Sequence, residues 1–212
     1  MTYGLIALTV LAFGYQITHA DEIDPLVRAF GFVPARLTAA ADRGDGSLPA
    51  VLLTMVTSTF LHGGWFHIIG NLLYLRVFGD NVEDRIGHVG FFLFYFASAA
   101  AGATAQAIIA PTSTTPMIGA SGAIAGVLGA YIVMFPRARI LTLFPIFILL
   151  TFIEVPAFFF LGIWALQQFL NGFLVVTSPA GGDGGIAWFA HIGGFALGVV
   201  VGGLARTVKR RR

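Results

Sequence analysis

The chain has 212 residues, 57% hydrophobic and only 10% charged, whereas a soluble domain carries roughly 25% charged residues. This deficit, together with several apolar runs near the length of about 20 residues that crosses a bilayer, excludes an ordinary soluble protein and indicates an integral membrane protein. There is no cysteine, so disulfides, thiolate metal sites and cysteine nucleophiles are excluded, and the net charge of +2 discriminates little.

Six crossings are predicted, at about 2–19, 64–80, 89–110, 119–135, 156–176 and 186–205, within one membrane domain covering 1–212. The 21 phenylalanines suit lipid-facing surface. The first run, MTYGLIALTVLAFGYQI, lacks a basic n-region and an A-x-A site before Asp21, so it reads as a retained span rather than a signal peptide. The long connection from Asp21 to about Gly63 holds Asp21, Glu22, Asp24, Asp42 and Asp45. It ends in an interrupted apolar tail, LPAVLLTMVTSTFLHGG, expected in or near the interface. Residues Ile140–Val176 form one apolar stretch too long for a straight span. Glu154 is costly in lipid and Pro156 starts helices well, so Ile140–Ile153 is expected to be interfacial, with the fifth span beginning near Pro156.

Lys and Arg set the orientation. With six spans both termini share a side, and the tail RTVKRRR places that side in the cytoplasm. Arg76, Arg85, Arg137 and Arg139 then lie inside with the tail, and only Arg28, Arg36 and Arg43 lie outside. The expected location is a bacterial inner (cell) membrane.

Spans two, four and six all run from outside to inside, and each carries polar residues near its outer end. His67 and Asn71 in HGGWFHIIGN lie at i and i+4, on one helix face. Span four carries Ser121 in MIGASGAIAG, and span six carries His191 in WFAHIGG. From Ser121 to Phe135 a helix rises about 22 Å, less than the hydrocarbon core of about 30 Å. Its start therefore lies several Å below the outer surface. His191, about five residues into its span, is roughly 8 Å deep. Ser121, His191, Asn71 and His67 can share one level. The preceding loop, PTSTTPMIGA, must dip into the membrane, which requires a protein-lined or water-filled cavity.

Each residue alone has a plainer reading. Gly122-x3-Gly126 and Gly194-x3-Gly198-x3-Gly202 are packing devices, and Ser121 by itself could be filler of the same kind. Asn71 could be an interhelical hydrogen bond, and a membrane histidine a haem ligand or proton relay. His62 is a lesser candidate for the cavity wall. GGDGG at 181–185 reads as a flexible loop rather than a phosphate cradle. The convergence of four residues at one depth favours a site. No Asp or Glu lies near His191 in a span, so a Ser–His site would be a dyad without an orienting carboxylate.

HGGWFHIIGNLLYL, GDNVEDRIG, GASGAIAG and AHIGGFALG together resemble the rhomboid intramembrane serine proteases, in the family's order and over nearly all of the chain from about Leu52. The resemblance implies an all-α, six-helix membrane bundle with a long outer first loop, without cofactor or metal. It implies Ser121 as nucleophile and His191 as general base. Asn71, with His67 and the Ser121 backbone N–H, would form the oxyanion site, and Gly119 would shape it for substrate. Glu83 and Arg85 match the family's E-x-R, a structural pair at the cytoplasmic loop. The implied partners are membrane-protein substrates, single-span ones above all, in the lipid bilayer; no nucleic acid is expected. Ala125 replaces the aromatic that many members carry four positions after the serine, leaving the support of the His191 ring to Trp188, Phe189 or another aromatic. The rival reading is a haem-binding or transport protein.

Overall fold

The computed structural model describes residues 1–44, 47–146, 149–177 and 186–207. Helix α1 (Thr2–Thr18) is followed by a 3₁₀ turn, Ala20–Glu22, and three short helices, α2 (Ile23–Phe30), α3 (Pro34–Arg43) and α4 (Leu48–Thr57). A second 3₁₀ turn, Ser58–Phe60, leads to α5 (Trp65–Ile86), α6 (His88–Ile109) and α7 (Ser121–Met134). A hairpin of β1 (Arg139–Ile146) and β2 (Leu149–Pro156) precedes α8 (Ala157–Thr177) and α9 (Trp188–Thr207). Helices thus cover each interval expected to cross. Among the described residues, α6, α8 and α9 are by themselves long and apolar enough to span a membrane, while α1 and α7 are shorter apolar helices. The GGDGG loop at 181–185 and the basic tail at 208–212 lie outside the described residues.

Helix α7 is the centre. It is apolar on every side, and every residue from Ala123 to Tyr131 is buried, as expected of a helix surrounded by others. Leu75 and Phe78 of α5, Phe91 and Tyr95 of α6 and Leu161 of α8 complete the main core. The closest seam is between α7 and α9. A Cβ on Gly194 would lie 2.0 Å from the Gly122 carbonyl oxygen, and one on Gly198 would lie 1.9 Å from that of Gly126. The two backbones therefore touch, as the small-residue spacing predicts. Helix α8 turns Phe158, Phe159, Ile163 and Phe169 outward, a surface suited to lipid rather than water.

The connection from α1 to α5 is a strap, not a free loop. Phe32 is fully buried. It exchanges backbone hydrogen bonds with Met117, its N–H donating at 3.1 Å and its carbonyl accepting at 2.7 Å. The Ala35 N–H donates to the Ser113 carbonyl at 3.0 Å, and the Thr38 hydroxyl donates to that of Pro111 at 3.0 Å. The segment leading into Ser121 is thereby fastened to the first connection.

Two expectations need correction. The all-α assignment fails at 139–156, where the expected interfacial segment forms an antiparallel pair in register from Arg139↔Pro156 to Ile146↔Leu149. Its Ile, Thr, Phe and Val content suits a pleated strand, and helix α8 begins at Ala157, directly after Pro156. Arg139 and Glu154 form an exposed ion pair at 3.4 Å across the hairpin. Secondly, no hydrogen bond or ion pair joins Glu83 to Arg85 among the described residues. Buried Glu83 accepts from the Thr2 N–H and hydroxyl, both at 2.7 Å, and from His88, while Arg85 is exposed. A carboxylate facing α1 cannot also reach an arginine that points to solvent. Glu83 therefore ties α5 to α1.

Candidate active site

Ser121 opens α7 and His191 lies in the first turn of α9. The glycine seam brings these two helix starts together. The His191 Nε2 lies 2.8 Å from the Ser121 Oγ, a hydrogen-bonding distance. The other ring nitrogen, Nδ1, lies 2.8 Å from Gln168 Oε1 of α8. Gln168 is buried, and its Nε2 donates to the Trp164 carbonyl at 3.2 Å.

Two indoles hold the imidazole. The Trp164 ring centroid is 6.0 Å away at an interplanar angle of 39°, and that of Trp188 is 6.2 Å away and edge-on at 89°. Ala125 is buried within α7. Of the aromatics expected to replace the missing one, Trp188 contacts the ring, whereas Phe189 lies against Gly172 of α8. Trp164 is an addition.

Asn71 and His67 face the turn before Ser121. Gly119 has φ of +113°, a conformation that side chains rarely adopt. A Cβ there would lie 2.6 Å from His67 Nε2 and 3.7 Å from Asn71 Nδ2. Asn71 is buried and its Nδ2 has no hydrogen-bond partner among the described residues, an unsatisfied donor of the kind that calls for an explanation. The Gly63 N–H donates to His67 Nδ1 at 3.3 Å, so Nε2 of the neutral ring carries the proton. The Gly119 N–H is itself taken by the Ser58 carbonyl at 2.9 Å. Gly119 thus shapes the turn rather than offering a donor. As the first residue of its helix, Ser121 has an N–H with no intrahelical acceptor.

Ser121, His191, His67, Gly119, Met117 and Trp188 line one open cavity of about 970 Å³, whereas Asn71, Gln168 and Trp164 are not part of its lining. His62 does not line it. Its backbone is clasped by Gln16, which accepts from the N–H at 3.0 Å and donates to the carbonyl at 3.3 Å. Its ring packs edge-on behind His67, with centroids 5.0 Å apart. Burial lowers the His62 pKa to about 4, with His67 pushing the same way.

The sequence reading missed Gln168 and Trp164. The signal was there: a glutamine pair and Asn171 in ALQQFLNG interrupt an apolar span, and polar groups inside spans mark function by default.

A family model described as Rhomboid domain matches residues 49–207, three-quarters of the chain, and the chain belongs to the rhomboid family. It is similar to "Rhomboid protein 1, mitochondrial" of Saccharomyces cerevisiae, 32% identical over 76% of this chain and 44% of that protein. It also resembles "RHOMBOID-like protein 12, mitochondrial" of Arabidopsis thaliana, 30% identical over 70% of this chain and 45% of that protein. A shorter match, 35% identical over 34% of this chain and 25% of the relative, is to "Rhomboid-like protein 11, chloroplastic" of the same plant. The chain thus spans less than half the length of these relatives. As the apolar helices also indicate, it is a membrane protein.

Proposed function

We propose that the chain is an intramembrane serine endopeptidase working through Ser121 and His191. The observation that carries the reading is the 2.8 Å approach of His191 Nε2 to Ser121 Oγ at the wall of an open cavity. A serine hydroxyl is a weak nucleophile until a base takes its proton, and a neutral imidazole does this near neutral pH. Nε2 accepts the Ser121 proton as Oγ bonds to the scissile carbonyl carbon. The developing oxyanion is met by the Asn71 amide, the His67 Nε2–H and the Ser121 backbone N–H, at the positive end of α7. His191 then gives its proton to the departing amine, leaving an acyl-Ser121. Water attacks that ester with His191 again as base, and the carboxylic product leaves with Ser121 restored. The unpartnered Asn71 amide suits this role, since a ground-state partner would have to be broken first.

The charge asymmetry of the loops supports placing the cavity toward the outside and both termini on the opposite, cytoplasmic side. Substrates would be membrane proteins, single-span ones above all, cut in or near their membrane segments. No metal or cofactor enters the steps. The haem alternative is disfavoured because both nitrogens of the His191 ring already have partners. The test is cleavage of a single-span protein by the purified chain in proteoliposomes. Cutting that ceases in Ser121→Ala is the expected result; persistent cutting would reject the mechanism.

A further inference from the structure

The geometry points to Gln168 as the positioning residue of the dyad: a neutral amide on α8 that holds His191 in the tautomer able to accept the Ser121 proton. It rests on the Ser121–His191 reading above.

The orientation of the amide follows from its two partners. A carbonyl oxygen can only accept, so the Gln168 group 3.2 Å from the Trp164 carbonyl must be its NH₂. That leaves Oε1 facing His191 Nδ1 at 2.8 Å. An amide oxygen also only accepts, so Nδ1 must carry the ring proton. In the neutral ring Nε2 is then bare, and it is Nε2 that lies 2.8 Å from Ser121 Oγ. A chain of three hydrogen bonds, from Ser121 through His191 and Gln168 to the Trp164 backbone, thus has a single proton arrangement. The opposite tautomer would set two protonless atoms, Nδ1 and Oε1, against each other.

An aspartate does this work in the better-known triads, and it also stabilises the imidazolium. Among the described residues no carboxylate contacts the ring. Ser121 of α7, Gln168 and Trp164 of α8 and Trp188 of α9 surround the ring. Helix α6 presents small residues to this part of α9, with Gly102 against Ala190 and Ala101 and Ala105 against Gly193. His67 is the other ionisable group acting on it. A buried carboxylate without a cationic partner is costly inside a membrane. An amide fixes the tautomer without that cost.

The experiment measures the rate at which a fluorophosphonate probe labels Ser121 in the full chain, across pH, for wild type, Gln168→Leu and Gln168→Glu. Gln168→Leu keeps the volume and removes the acceptor. We expect labelling slowed roughly ten- to a hundredfold, a fraction of the 10²–10⁴ that general-base catalysis contributes. Gln168→Glu keeps an acceptor and adds a charge that favours imidazolium. It should label faster than Gln168→Leu, with the acid limb of its profile moved to higher pH. A residue 168 that does not face the ring would not move that limb. Wild-type labelling in Gln168→Leu, or an unshifted limb in Gln168→Glu, would overturn the inference. Should Gln168→Leu not fold, the Gln168→Glu profile decides alone. No labelling of Ser121 in the wild type would instead reject the dyad itself.

Discussion

The seam between α7 and α9 sets the dyad distance, so methyl groups placed in it should disable the site from a distance. In Gly194→Ala the new Cβ would lie 2.0 Å from the Gly122 carbonyl oxygen, where ordinary contact begins near 3.4 Å. The backbones must separate by roughly 1.4 Å, and neither oxygen nor Cβ has a side-chain torsion with which to yield. Overpacking of this kind costs about 1–3 kcal/mol. His191 is one helical turn from Gly194, so the same displacement stretches its 2.8 Å bond to Ser121 beyond hydrogen-bonding range. A misplacement of about 1 Å can cost on the order of 10²-fold in rate. Gly203→Ala is the control, because a Cβ there meets nothing within 4 Å, and it should gain about 0.5–1 kcal/mol of helix stability. The assay pairs the melting temperature in detergent with the rate of substrate cleavage. Equal melting and equal cleavage for Gly194→Ala and Gly203→Ala would refute the idea that backbone contact positions the histidine.

Ser121→Ala and His191→Ala should each abolish cleavage while leaving the melting temperature close to wild type, read by the same pair of measurements. Asn71→Ala should lower kcat about 10²–10³-fold, corresponding to about 2.7–4 kcal/mol, with little change in KM, because an oxyanion donor acts mainly in the transition state. Gly119→Ala should lose activity through the 2.6 Å clash with His67 and the strain at φ +113°, whereas Gly162→Ala, with nothing near it, should be silent. In a single-span substrate, cleavage should fall near the outer end of the helix. It should weaken when helix-breaking residues there are replaced by Leu, since Gly and Pro lower helix stability by about 1 and 3 kcal/mol relative to Ala; mass spectrometry of the products maps the cut.

Much of the helical layout was legible because apolar run length is a strong signal in lipid, and α1, α6, α7, α8 and α9 begin and end near the predicted limits, while α5 starts where expected but runs on to Ile86, past the limit near 80. The hairpin at 139–156 was not, because short apolar runs do not distinguish strand from helix or interface, and only pairing between Leu141 and Glu154 and their neighbours resolves them. At the candidate site, the approach of His191 to Ser121 was legible from spacing, while the roles given to them and to Asn71 and His67 came from the family resemblance. Gln168 was legible only as a polar interruption of its span; that it faces His191 was not, since a glutamine in one span gives no sign of which neighbouring helix it meets. His62 and Gly119 show the same limit. Whether His62 faced the cavity or backed His67, and whether the Gly119 N–H was free or held by Ser58, depended on contacts between segments far apart in the chain.

The most direct test of the central claim is mass spectrometry of the purified, folded chain after reaction with a fluorophosphonate probe. The account predicts one modified residue, Ser121, and no modification in His191→Ala. Label on a different serine, or undiminished label on Ser121 in His191→Ala, would contradict it.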